Sequence, residues 1–354
     1  MPKLGSLFTR LSIMAMAADQ AELSAPRSVG PCRPAPLLLG VQCGCPPASP
    51  PAARDGDPCQ RTGVDGDQAL TRVTALVTGA SRGVGRGIAL ALGARGATVW
   101  VTGRSTPGSA TSPLGGSPEQ TAEEVTARGG RGVPVVADAL DEDAMQNVVA
   151  RLESEHGGLD VLVCNAWGGY ALFHRDEPEG WNRPYWEQPR ALWDETVGSV
   201  RGTWVTLSLA TPLLLRSTRG LVVATSFLAS WRFEGNLPYG VSKTATDRLV
   251  ADAATQLAPH RVCAVAVHPG LVRTELIERD ARWFDLSNAE SPELSGRVVA
   301  ALATDPQRLR WTGRALLVAE MAAYYGVHDV DGRQPESLRA HFGGGPSWQR
   351  ADPP

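Results

Sequence analysis

From residue 70 onward, short runs of consecutive apolar residues alternate with longer stretches of helical spacing and composition. Residues 73–77, Val-Thr-Ala-Leu-Val, form a β-rich apolar run, and a glycine-containing loop follows at 78–85. An Ala-, Leu- and Ile-rich stretch over 86–95 predicts a helix, and 97–102 a second buried strand. This order predicts a βαβ unit. The alternation continues with strands at 133–137, 159–164, 220–225 and 261–267, and helices at 141–156, 193–215 and 242–257. The helix at 141–156 carries a capping signal at its start. Strands built from consecutive apolar residues and separated by helices belong in a parallel sheet covered on both faces. No internal repeat of solenoid period interrupts the pattern.

Three segments fall outside the alternation. Residues 105–118 are rich in Gly, Ser, Thr and Pro and predict a long loop. Residues 167–193 hold seven aromatic residues: Trp167, Tyr170, Phe173, Trp181, Tyr185, Trp186 and Trp193. Residues 275–345 mix a helical stretch with a closing tail.

The first 69 residues have a different texture. Nine prolines lie between residues 26 and 58. A segment with so little apolar surface cannot offset the entropy of ordering it, so disorder is expected over 1–69. Two other readings stand beside this one. Lys3 and Arg10 precede a short, interrupted apolar patch at 11–18 that weakly matches a signal peptide. Alternatively, the natural protein begins later and the first ~70 residues over-extend the reading frame. Four of the six cysteines, Cys32, Cys43, Cys45 and Cys59, sit here without the spacing or histidines a metal site needs. Cys164 and Cys263 lie in strand-like runs and read as small buried hydrophobes. No metal is expected, and reduced thiols fit a cytoplasmic setting. A net charge of -3 with 20% charged residues argues against a general nucleic-acid binder. No apolar run reaches the ~20 residues of a membrane span.

Gly79, Gly83 and Gly85 after a strand let the chain turn tightly and approach a pyrophosphate closely. The following helix then presents free N–H groups and the positive end of its dipole to that phosphate. Taken alone, three glycines also describe an ordinary turn; their place between a strand and a helix points to a nucleotide loop, with Ser81, Arg82 and Val84 among its contact residues. Where NAD-selective proteins carry an acid after the second strand, this chain has Gly103-Arg104-Ser105. A guanidinium there suits a 2′-phosphate, and Arg82 offers a second one. NADP(H) is therefore expected ahead of NAD(H), the other reading of both arginines being solvated surface charge.

Tyr239 and Lys243 stand four apart at the start of a helix and share a face. A phenol with a pKa of ~10 is a poor base at neutral pH, and a nearby ammonium favours its ionised form. Ser226, at the end of the strand 221–225, is placed to hold a substrate oxygen while Tyr239 gives or takes a proton.

Thr78-Gly79-x-x-x-Gly83-x-Gly85 and the spacing Ser226-x12-Tyr239-x3-Lys243 together resemble the short-chain dehydrogenase/reductase family. The fold class this implies is a single doubly wound Rossmann-type α/β domain over 70–345, after the extension 1–69. The resemblance assigns Asp138 to the adenine. It gives Asn165-Ala166 a place in cofactor binding, with Cys164 and Trp167 replacing family residues on either side. Pro269, Gly270, Val272 and Thr274 fall to the nicotinamide amide, and Lys243 also to its ribose. It departs at Ser199, where most relatives carry an Asn that supports a water-linked proton relay. The runs 197–202, 226–243 and 325–332 are similar to the dehydrogenase/reductase family member 1 group. That likeness implies NADPH-dependent reduction of a carbonyl, with steroids and small ketones among the substrates, and homo-oligomers built through helices 193–215 and 242–257. Reduction of an activated C=C bond and a non-catalytic nucleotide sensor are the alternatives. The aromatic segment favours an apolar substrate or, equally, packs a lid onto the core; Arg175, Glu177 and Arg183 within it leave room for a polar handle.

Overall fold

Seven apolar runs pair side by side in the computed structural model, which describes residues 69–106, 108, 113–169 and 181–345. The segment 1–68, with its cysteines and expected disorder, lies outside the described residues, as do Tyr170, Phe173, Arg175 and Glu177. The strands are β1 (Thr74–Val77), β2 (Thr98–Gly103), β3 (Arg131–Val136), β4 (Val161–Cys164), β5 (Leu221–Thr225), β6 (Cys263–His268) and β7 (Ala315–Leu317). Their order is β3-β2-β1-β4-β5-β6-β7, and every pairing is parallel. The order reverses between β1 and β4, so a crevice opens there at the carboxyl ends of the strands.

Alternate residues of each strand enter different cores, as the two-residue period of a strand requires. Ala75, Val77, Val99, Val101, Val161 and Val163 face one layer. Leu76, Trp100, Leu162, Val222 and Ala264 face the other. The first layer is covered by α1 (Gly83–Gly93), α2 (Pro118–Ala127), α7 (Pro292–Thr304) and α8 (Val318–Tyr325). The second is covered by α3 (Glu142–His156), α4 (Arg190–Leu214) and α5 (Leu237–Leu257). Each fully buried Val or Leu contributes about 1.5–3 kcal/mol of transfer free energy.

Local signals explain where the helices begin. The Asp141 carboxylate accepts from the Ala144 amide at 3.1 Å and caps α3. α5 starts five residues before the expected 242, because Asn236 accepts from the Tyr239 amide at 3.0 Å and Pro238 sits in the first turn. α1 starts at Gly83, inside the glycine loop, rather than at 86. α2 had no counterpart in the periodicity; Ser117 caps it, accepting from the Gln120 amide at 3.2 Å. The segment 275–345 holds more than a helix and a tail: it contains α6 (Glu275–Arg279), α7, β7 and α8.

Helices α1 and α7 meet backbone to backbone. A Cβ on Gly87 would lie 2.1 Å from the Pro292 carbonyl oxygen, and one on Gly296 would lie 2.5 Å from that of Gly87. Only glycine permits this approach. Among the described residues no helix is long and apolar enough to cross a membrane, and no group of three His, Cys, Asp or Glu could hold a metal.

Candidate active site

The glycine loop leaves the end of β1 and enters α1 beside the end of β4. Gly79 has φ +63°, and a Cβ there would lie 2.7 Å from Ala166 Cα. A Cβ on Gly85 would meet the Asn165 Nδ2 atom at 2.3 Å. Asn165 donates through Nδ2 to the carbonyls of Thr78 (3.1 Å) and Gly79 (3.0 Å), which fixes the loop from β4. The Thr78 hydroxyl in turn accepts from the amides of Asn165 (3.0 Å) and Ala166 (3.2 Å). Asn165 and Ala166 thus pack directly against the glycines and set the loop's turn. Ser81 is buried and backs onto Gly103, while Val84 packs partly buried against the core.

An anion already sits at the mouth of that loop. The Glu275 carboxylate accepts from the Gly83 amide, at 3.0 and 3.3 Å, at the N-terminus of α1. Its neighbour Thr274 contacts the space above Gly83, 3.4 Å from where a Cβ would be. A helix start that draws in a carboxylate is chemically suited to a phosphate. At the β2 end, Arg82 Nη2 donates to the Ser105 hydroxyl at 3.0 Å. Arg104 forms a loose ion pair with Asp138 at 3.6 Å, its side chain 46% exposed. The two residues assigned to the adenosine end therefore touch each other, and two guanidinium-bearing residues flank Ser105.

Ser226, Tyr239 and Lys243 come together at the ends of β5 and α5. The buried Ser226 hydroxyl donates to the Lys243 carbonyl at 3.2 Å. Lys243 Nζ lies 5.5 Å from the Tyr239 ring centroid and donates to the Thr225 carbonyl at 3.4 Å. Burial pushes the ammonium down from 10.5 to about 8, with Asp247 opposing the fall. The chain has two lysines in all, Lys3 and Lys243. The Tyr239 ring is walled by Trp167 (5.5 Å), Trp181 (5.1 Å) and Phe227 (6.0 Å between centroids). Phe227 is backed by Phe342 of the tail at 5.9 Å. Part of the aromatic segment thus stands beside Tyr239, whereas Tyr185 and Trp186 are exposed.

Ser199 lines a small cavity with Lys243, Thr225, Thr196 and Cys164. Its hydroxyl is engaged, donating to the Glu195 carbonyl at 2.9 Å and accepting from the Gly168 amide at 2.8 Å. The thiols of Cys164 and Cys263 are both pushed up to about 12 by burial, as expected of inert core cysteines.

Three residues around the site, Glu290, Ser230 and Asp247, had no signal in the sequence. Pro269 and Gly270 follow β6, and the Gly270 amide donates to the buried Glu290 carboxyl at 2.9 Å. Burial pushes that carboxyl up to about 8. Val272 pairs with Glu290 in an isolated parallel bridge. Behind Lys243, Asp247 accepts from Ser230 Oγ at 2.6 Å and bonds His268 Nε2 at 2.9 Å. A lone acid or histidine in a core run carries no pattern until the sheet assembles its partners.

Known proteins share this arrangement. Residues 73–284 match the family model for short chain dehydrogenase. The chain is 39% identical over 274 residues to dehydrogenase/reductase SDR family member 1 of Mus musculus, and 38% identical to the Homo sapiens protein of that name; each alignment covers 73% of this chain and 83% of the relative. The solved 3-oxoacyl-[acyl-carrier protein] reductase of Brucella melitensis, in complex with NAD, is 25% identical with a TM-score of 0.60, over 70% of this chain and 96% of that one. With a family match across most of the sheet and relatives this similar over most of their length, the chain belongs to the short-chain dehydrogenase/reductase family, and is an oxidoreductase working with a nicotinamide dinucleotide.

Proposed function

We propose that residues 70–345 form an NADP(H)-preferring reductase that moves hydride between the nicotinamide and a carbonyl or alcohol carbon of an apolar substrate. The observation that carries this reading is the Tyr239 ring, set between Lys243 and three aromatic walls, with Ser226 bonded to the Lys243 carbonyl. Gly79 and Gly85 let the loop pack directly against Ala166 and Asn165, the tight turn a dinucleotide loop needs, and the α1 start already holds an anionic group. Gly79, Ser81, Arg82, Gly83, Val84 and Gly85 would hold the pyrophosphate side, Arg104 the 2′-phosphate, and Asp138 the adenine. Asn165 and Ala166 set the loop's shape. Pro269, Gly270, Val272 and Thr274 would hold the amide end. When bound, the nicotinamide supplies or accepts the hydride.

The chain's own residues handle the proton. Ser226 would turn its hydroxyl from the Lys243 carbonyl to donate to the substrate oxygen; Tyr239 Oη gives a proton to that oxygen in reduction and takes it back in oxidation. Lys243 stabilises the phenolate that forms. Trp167, Trp181 and Phe227 exclude water from the proton path and favour a ring-shaped or apolar substrate. The name of the mammalian relatives, dehydrogenase/reductase, fits either direction. Homo-oligomers through α4 and α5 belong to the same reading, supported by Trp204, 56% exposed on α4, and Val241, 39% exposed on α5. A cytoplasmic setting belongs to it as well.

The test is a titration of the full chain with NADPH and NADH against tryptophan fluorescence, beside Arg104→Asp. Tighter NADPH binding, with the margin lost in the variant, is expected. Turnover of a panel of ketones and enones then separates C=O from C=C reduction, and Tyr239→Phe should abolish it. Tight binding without turnover across the panel would favour a sensor; no binding of either nucleotide would end this reading.

A further inference from the structure

Lys243 is almost wholly buried, and its nitrogen has one weak acceptor, the Thr225 carbonyl at 3.4 Å. An ammonium in that position is costly unless a counter-charge offsets its lost hydration. The groups facing it are few. β5 offers the Thr225 carbonyl; α4 offers the hydroxyls of Thr196, Ser199 and Thr203, α5 those of Ser242 and Thr246, and the chain at and after β4 the neutral Cys164 thiol and the Trp167 ring. On its own helix stand Tyr239 and, one turn on, Asp247. Among the described residues, Asp247 is the formal charge that acts on it.

Asp247 is itself 3% exposed and makes no direct bond to Lys243. Its two oxygens are taken: Oδ2 by the Ser230 hydroxyl at 2.6 Å and Oδ1 by His268 Nε2 at 2.9 Å. The other ring nitrogen of His268, Nδ1, is buried without a hydrogen-bond partner. A bare ring acceptor is cheaper to bury than an N–H, so the proton belongs on Nε2, pointing at Asp247. Both neighbours then donate to the Asp247 carboxylate and fix its orientation. The three residues come from three elements. Ser230 lies just beyond Ser226, Asp247 on the helix of Tyr239 and Lys243, and His268 directly before Pro269-Gly270.

We propose that Asp247, held by Ser230 and His268, is a positioning residue that keeps Lys243 charged and thereby sets the pH at which Tyr239 works. The carboxylate acts through space across one helical turn in a low-dielectric interior, where a charge acts far more strongly than in water. The clamp keeps it from turning toward Lys243 and collapsing into a tight pair that would draw the ammonium away from Tyr239. It also ties the Ser226 loop and the amide-end loop to one anchor. This inference rests on the oxidoreductase reading for its consequence, but not for its first measurement.

That measurement uses the lysine count. Full-length protein grown with [ε-13C]lysine gives two lysine signals, one from Lys3 and one from Lys243. Their pH titration by NMR reads the Lys243 charge directly, without turnover. In Asp247→Asn the Lys243 midpoint should fall by about one to two pH units below the wild type. Ser230→Ala, a milder change, should lower it by a fraction of that, and Asp247→Glu should restore most of it. In alcohol oxidation, Asp247→Asn should move the rising limb of the kcat profile to higher pH while the alcohol KM stays nearly constant. A merely structural acid would lower the melting temperature and leave both midpoint and limb in place. An unmoved Lys243 midpoint in Asp247→Asn or Ser230→Ala overturns the proposal. A shifted midpoint in a protein that never turns over leaves the Asp247 assignment standing and sinks the enzymatic reading instead.

Discussion

Replacing Lys243 with methionine should make the protein more stable and inactive at once. An unfolded-chain lysine holds its proton up to 10.5, whereas the folded environment releases it at about 8. Between those values the unfolded chain binds more protons, so stability rises with pH across that window and the burden is complete below it. At ~1.36 kcal/mol for each pH unit, the charged lysine costs the folded state about 3 kcal/mol at pH 7. Methionine keeps the length of the apolar stem, carries no charge, and removes that cost. Lys243→Met without nucleotide should therefore unfold about 3 kcal/mol harder in urea at pH 7, or melt about 5–10 °C higher. Near pH 9.5, where the folded lysine is neutral and the unfolded one still mostly charged, the advantage should shrink to about half. Matched urea curves for both proteins at the two pH values make the comparison, since titrating groups not coupled to Lys243 cancel in the difference. A variant no more stable than wild type at pH 7, or an advantage that persists undiminished at pH 9.5, would refute the account of a buried, costly ammonium.

Other outcomes follow from the same geometry. Glu275→Gln removes the carboxylate that accepts from the Gly83 amide, so the NADPH dissociation constant should fall by about five-fold, an effect of order 1 kcal/mol at a helix N-terminus; calorimetry showing equal or weaker binding would exclude competition by Glu275. Glu290 has its pKa raised to about 8, so the folded state keeps a proton that the unfolded chain sheds near 4.5, and stability is lost as pH rises between the two. Glu290→Gln should match the wild type in melting temperature near pH 4.5 and exceed it at pH 8, by about 2–4 kcal/mol in urea unfolding. Gly87→Val drives a side chain into the Pro292 carbonyl and should cost more than about 3 kcal/mol, read as a collapse of soluble yield or of the urea midpoint.

The sheet was legible because its strands are buried on both faces. Val161-Leu162-Val163-Cys164 feeds two cores with alternate residues, so every position must be apolar and the run announces itself. β7 is three residues long and α2 turns only Ala122 and Val125 into a core, so neither leaves a period to detect. The positions of Tyr239, Lys243 and Ser226 could be read because one helix start and one strand end fix their spacing. Glu275, Glu290 and the Ser230–Asp247–His268 group could not, because their partners stand up to 192 residues away and the chain's order says nothing of that distance until the sheet is built. Ser199 was marked as a departure from the family, yet its bonds to Gly168 and Glu195 depend on a turn of α4 that no spacing encodes.

The glycine contact between α1 and α7 also governs when the molecule can become itself. Gly87 leaves the ribosome about two hundred residues ahead of Gly296, and bacterial or eukaryotic synthesis at ~5–20 residues per second makes that a wait of about 10–40 s. During it, the face of α1 that carries Gly87 and Ile88 has no cover, and neither does the half of the sheet that α7 will close. The helix that starts the nucleotide loop is among the first elements made and among the last to be packed. Folding of the nascent chain is therefore held open by its own topology, and the interval is one in which a holding chaperone has an apolar surface to grip.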